Sequence, residues 1–154
     1  TNYMSNNQFK RGELYSVING MATTAVARRL QKNFRNAGLE ITIEQWSVLY
    51  HLWKEDGLSQ LELGNRTFRD KASTTRLIDN LEKQELVTRV ASKDDRRINL
   101  VYLTDIAKPL QQITYELANK TMNESLQNIS KEEIEVVKNV LQRVYDNLTS
   151  KDLI

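Results

Sequence analysis

The stretch Asp70–Thr104, DKASTTRLIDNLEKQELVTRVASKDDRRINLVYLT, decides how this chain folds, because its hydrophobic period changes midway. Up to Gln84 the apolar residues Leu77, Ile78 and Leu81 keep helical spacing, and Asp70 is placed to cap the helix start. Beyond it, Leu86-Val87-Thr88-Arg89-Val90 and Ile98-Asn99-Leu100-Val101-Tyr102-Leu103 are short runs rich in branched and aromatic residues. They flank the polar tip Ser92-Lys93-Asp94-Asp95-Arg96-Arg97, which predicts a β-hairpin with a multi-residue loop. The second strand alternates, Leu103, Val101 and Asn99 on one face and Tyr102, Leu100 and Ile98 on the other.

The residue types on these two elements suit double-stranded DNA. Lys71, Ser73, Thr74, Thr75 and Arg76 stand at the front of the helix. Hydroxyls can bond phosphates or base edges, a methyl can meet a thymine methyl, and an arginine can grip guanine with two bonds. Free amides at a helix start also favour a phosphate. On the hairpin, Lys93, Arg96 and Arg97 supply cations, and an arginine entering a minor groove gains from the negative potential there. Asp95 repels phosphate, so its presence makes sense as a two-bond brace for a neighbouring arginine. Taken singly, such hydroxyls only cap a helix and such arginines are solvated. The helix and basic hairpin in tandem favour the DNA reading.

Working outward, 154 residues suit one domain with helical extensions, and 40% apolar residues support a core. Net charge is only +2, but it is unevenly spread. Residues 66–97 carry nine Lys/Arg against six Asp/Glu, whereas residues 42–65 carry one against four. A local basic surface can hold phosphates on a nearly neutral molecule. The absence of cysteine removes disulfides, thiolate metal sites and thiol redox chemistry. No apolar run approaches a membrane span, and TNYMSNNQFKRGE lacks a signal-peptide core, so a cytoplasmic protein without membrane contact is expected.

Thr42–Gln45, Ser59–Glu62 and Ser130–Glu133 each fit the capping box. Ahead of them, apolar residues recurring at helical spacing predict a long first helix from about Arg11 to Ala37, with Leu14, Ile18, Met21, Ala25, Val26, Leu30 and Phe34 along its apolar stripe. A second helix, Ile43 to Glu55, buries Trp46, Leu49, Leu52 and Trp53; a short third follows Ser59 with Leu61 and Leu63 inward. Thr104 is expected to cap a fifth helix to about Asn128, bent at Pro109, and Ile134, Val137, Leu141, Val144 and Leu148 mark a sixth. The predicted class is mainly α with a small hairpin wing. A winged helix-turn-helix lobe over residues 42–104 joins terminal helices over 9–37 and 105–148, whose apolar faces suit a dimer.

Three pieces resemble one family. They are Thr42-Ile43-Glu44-Gln45-Trp46-Ser47-Val48-Leu49, Thr75-Arg76-Leu77-Ile78-Asp79-Asn80-Leu81-Glu82-Lys83, and Asp95-Arg96-Arg97 six residues before Leu103-Thr104. Together they resemble the multiple-antibiotic-resistance regulator (MarR) family. The resemblance implies a homodimeric transcription factor, a repressor in the first instance, on a palindromic operator. Its recognition helix would enter the major groove and its wing the minor groove, with Arg97 the minor-groove residue and Asp95 its support. Glu85 stands where the family usually has glycine, so a left-handed backbone there implies strain of roughly 1 kcal/mol. Thr67-Phe68-Arg69 and Ala107 also depart from the usual pattern.

Nothing in the chain favours an enzyme. His51 is the only histidine, and the adjacent carboxylates of Asp94-Asp95 and Glu132-Glu133 point apart. No metal or cofactor is expected. Tyr15, Trp46, Tyr50 and Trp53, with Arg28 or Arg29 as an anion partner, could line a pocket for a small phenolic or anionic effector; the plainer reading makes these aromatics core. The alternative function is a winged-helix module that binds a protein partner and no DNA.

Overall fold

The computed structural model describes residues 16–149. Leu14 and Tyr15 lie outside that range. A π-helical turn, Val17–Met21, leads directly into α1, Ala22–Asn36. Of the expected stripe, Leu30 and Phe34 are buried, but Met21 and Ala25 are exposed. Gly38, with φ 76°, reverses the chain after α1.

Helix α2, Ile43–Lys54, starts with a complete capping box: the Thr42 Oγ1 accepts from the Gln45 N–H at 3.1 Å and the Gln45 Oε1 accepts from the Thr42 N–H at 2.9 Å. Val48, Leu49 and Leu52 are its fully buried side chains, with Trp46 and Trp53 packed at the core margin. Helix α3, Gln60–Arg66, is capped by Ser59, and α4, Lys71–Lys83, by Asp70. The turn between them runs through Phe68 at φ 55°, and the Arg69 N–H returns to the Gly64 carbonyl at 2.9 Å. A left-handed residue lets the chain end one helix and turn into the next, and here phenylalanine adopts it.

The hairpin forms as β2, Val87–Ala91, and β3, Asn99–Leu103, in the register Val87 opposite Leu103 and Ala91 opposite Asn99. A third strand was not foreseen. The two-residue β1, Leu58–Ser59, pairs antiparallel with β3 on its other edge, giving the order β1-β3-β2. The chain reaches β1 through Gly57 at φ 76°, whose missing side chain accommodates the Tyr102 ring; a Cβ there would sit 2.7 Å from it. Leu58, Leu63, Ile78, Leu81, Val87 and Val101 form the core beneath this sheet with α2.

Two expectations are overturned. Leu61 is 76% exposed, whereas Leu63 is fully buried, because a seven-residue helix packed on one side offers few inward positions. The fifth helix does not begin at Thr104: residues 105–109 form turns, and α5 runs Leu110–Ser125. Pro109 therefore precedes the helix and does not bend it; its ring disfavours helical backbone at Lys108, which sets the start. Thr104 instead donates its hydroxyl to the Glu85 carbonyl at 2.6 Å.

The described residues divide into two compact units, with the boundary between Thr121 and Met122. In the first, Asn33 of α1 donates to the Thr121 hydroxyl of α5 at 2.9 Å, both residues buried. In the second, Asn128 at φ 61° ends the preceding helix and a reciprocal Ser130–Glu133 box opens α6, Lys131–Thr149. No α6 residue is buried within the single chain.

Candidate nucleic-acid interface

The first turn of α4 is fixed by its cap. The Asp70 Oδ1 accepts from the Ser73 N–H at 2.7 Å, and that bond holds the Asp70 carboxyl below the ordinary carboxylate range. Lys71, Ala72 and Arg76 are exposed from this turn, while Ser73 and Thr75 are half-buried. The Arg76 Nη2 lies 3.3 Å from the Ser73 hydroxyl, which steadies it along the outer face.

Thr74 does not join them. It is 1% exposed, its hydroxyl donates to the Asp70 carbonyl at 2.8 Å, and its side chain meets the bare Cα of Gly64. The expected DNA contact at Thr74 is therefore corrected: this residue is the seam between α3 and α4. Thr75 is partly engaged as well, donating to the Lys71 carbonyl at 2.8 Å and accepting from the Gln60 amide at 3.2 Å.

At the wing tip the backbone is closed by Ser92 N–H to Ile98 carbonyl, 2.8 Å, and Ile98 N–H to Asp95 carbonyl, 2.9 Å. The Asp95 Oδ1 accepts from the Arg97 N–H at 3.0 Å and from its Nε at 3.1 Å, while Oδ2 accepts from Nη2 at 3.0 Å. Arg97 nevertheless keeps 91% of its side chain in solvent. The guanidinium lowers the Asp95 carboxyl and the carboxylate raises Arg97, each through these hydrogen bonds. Lys93 and Arg96 are exposed on the same tip.

Lys71, Thr75 and Arg97 come together in one open groove, which Ser73, Arg76, Lys93 and Arg96 do not line. Gln60, Lys71 and Thr75 line one side, and Arg97, Ile98 and Asn99 the other. Its charged lining is Arg69, Lys71 and Arg97 against Asp70 alone, and the Asp70 carboxylate is already occupied as a helix cap. Such a concavity attracts a polyanion.

The sequence reading passed over Arg89. By strand alternation Arg89 faces the same way as buried Val87, and its side chain is only 18% exposed. It bonds Asp79 and Glu82 of α4, donates Nε to Gln60 of α3 at 3.0 Å, and reaches the Thr75 carbonyl at 3.4 Å. The signal was legible in part: an arginine on the inward face of a strand, just after a helix with acids three residues apart.

Among the aromatic candidates, Trp46 and Tyr50 do come together, with ring centroids 5.8 Å apart, and Phe34 and Tyr115 extend the row. Lys54 stands 4.4 Å over the Tyr50 ring. The Trp46 indole nitrogen is buried and has no hydrogen-bond partner among the described residues. Trp53 instead donates its indole N–H to the Ala107 carbonyl at 3.1 Å, a structural bond, and Arg28 is exposed on α1.

A model of the MarR family matches residues 41–98, the span from the start of α2 through the wing tip. Among solved structures, the transcriptional regulator PA3341 is 30% identical, with 89% of this chain and 96% of that chain covered at a TM-score of 0.72. A probable transcriptional regulator from Pseudomonas aeruginosa is 27% identical over 79% of this chain and 92% of its own, TM-score 0.68. A MarR mutant from E. coli, complexed with operator DNA, shares the fold at 22% identity, 92% and 97% coverage and a TM-score of 0.78. No helix among the described residues is long and apolar enough to cross a membrane. The chain belongs to the MarR family of winged-helix transcriptional regulators.

Proposed function

We propose that the protein binds double-stranded DNA as a homodimer and represses transcription from a palindromic operator with half-sites about one helical turn apart. The front of α4, with exposed Lys71 and Arg76 and half-buried Ser73 and Thr75, enters the major groove. The tip, with Lys93, Arg96 and Arg97, reaches the adjacent minor groove or its phosphates. The observation that carries this reading is Arg97: solvent-facing, yet held by its neighbour's carboxylate in one orientation beside a cationic groove. A freely solvated surface arginine has no need of such a brace. The terminal segments 9–37 and 105–148 provide the dimer contact, in keeping with the unburied apolar row Val137, Leu141 and Leu148 on α6.

The aromatic row of Trp46 and Tyr50, with its unpaired indole N–H, is the candidate seat for a small phenolic or anionic effector that relieves repression. Replacing Arg97 by alanine tests the DNA reading. On DNA selected by the wild-type protein, affinity should fall and the slope of log affinity against log salt should become shallower by about one counterion. Equal binding at every salt concentration overturns the reading.

A further inference from the structure

Arg89 is a largely buried cation that joins the wing to both helices of the helix-turn-helix. Its guanidinium spreads over separate acceptors: Nη2 to Asp79 and the Thr75 carbonyl, Nη1 to Glu82 at 3.2 Å, Nε to Gln60 at 3.0 Å. Gln60 in turn donates to the Thr75 hydroxyl at 3.2 Å, so α3, α4 and β2 close into a ring of bonds. Behind it, Arg89 is paired in the sheet with fully buried Val101 of β3, which also pairs with Leu58 of β1. The strand end of the wing is thus tied to the middle of α4, between the turn carrying Arg76 and its C-terminus.

We propose that Arg89 is a positioning residue for sequence recognition: it fixes the spacing between the reading face of α4 and the wing arginine. This rests on the DNA-binding reading above and adds to it. Phosphate contacts are long-ranged and tolerate slack, whereas two-bond contacts to base edges need narrow distances and angles. A loosened clamp therefore weakens specific binding and spares non-specific binding.

Arg89→Lys is the discriminating variant, because it keeps the charge but replaces a planar fork with a single point that cannot reach acceptors on opposite sides. Binding is measured to DNA selected from a random library by the wild-type protein and to unselected random DNA, across salt concentrations, beside thermal melts. The expected result is a loss of roughly tenfold on selected DNA, with random-DNA affinity and salt slope unchanged in a folded protein. Selected-DNA affinity within about twofold of wild type overturns the proposal, as does a parallel loss on both DNAs that tracks a lowered melting temperature. If the lysine variant does not fold, Glu82→Gln, which lies outside the groove lining, weakens one arm while leaving the Asp79 pair. It should lose affinity for selected DNA only, and an effect on neither DNA, or on both alike, overturns the clamp. Wild-type protein that binds no DNA overturns the DNA-binding reading itself, a result separate from any variant.

Discussion

Asp95 grips Arg97 through both side-chain oxygens, Oδ1 to Nε at 3.1 Å and Oδ2 to Nη2 at 3.0 Å, while Arg97 points into solvent. The two halves of this pair act in opposite senses on a polyanion. As a charge, Asp95 repels phosphate; as a brace, it removes the freedom that Arg97 would otherwise lose on binding. Holding one long side chain in place is worth roughly two- to tenfold in affinity. The carboxylate's repulsion is offset by its pairing with the Arg97 guanidinium at 3.0 Å. Asp95→Ala should therefore weaken DNA binding by a few fold although it removes a negative charge. Tighter binding by this variant in a gel-shift titration would show that charge outweighs geometry.

The seam between α3 and α4 is tight at Gly64. A Cβ there would lie 2.9 Å from the Thr74 hydroxyl and 3.2 Å from the Arg69 carbonyl, and the latter is backbone that cannot swing aside. Gly64→Ala gains about 1 kcal/mol of helix propensity but suffers overpacking of about 1–3 kcal/mol, so a net loss is expected. The melting temperature should drop. Thr74→Ala should likewise destabilise without changing the preferred DNA sequence, whereas Arg76→Ala should change the preference. Selection from a random DNA library with each variant separates the two residues.

Glu85 carries φ 59°, held by its own N–H to the Glu82 carbonyl, by the following Leu86 N–H to Leu81, and by Thr104 on its carbonyl. Left-handed backbone costs a side-chain-bearing residue about 1–2 kcal/mol, and glycine gives back about 0.4–1 kcal/mol through unfolded-chain freedom. Glu85→Gly should raise stability by up to about 1.6 kcal/mol, read from chemical denaturation with an unchanged slope.

Acid should weaken the protein through its caps. Asp70 is lowered chiefly by the Ser73 N–H, and Glu133 chiefly by that of Ser130. A carboxyl whose folded value is depressed stabilises the fold fully above its ordinary value. That contribution disappears as pH falls through the depressed folded value. Stability should hold near neutrality and decline below the ordinary carboxylate range. Asp70→Asn keeps a competent cap without the titration, so its melting temperature should fall less steeply across that acid window.

Local chemistry was readable in the linear chain. The boxes at Thr42 and Ser130, the Asp70 cap and the Asp95–Arg97 brace all link residues two or three positions apart. Sequence neighbours meet whatever the rest of the molecule does, so their geometry follows from residue type and spacing. Which face of each element meets solvent was decided only in three dimensions. Thr74 and Thr75 are adjacent hydroxyls, yet packing against Gly64 of α3 leaves Thr74 1% exposed while Thr75 stays half-buried. Leu61 turns outward because α3 is packed on one side, and Leu58–Ser59 becomes a strand because β3 has a free edge beside it. Arg89 looks like a polar strand residue until Asp79, Glu82 and Gln60 converge on it from α4 and α3. Burial is a property of the partners brought by chain topology, and no local pattern encodes which partners arrive.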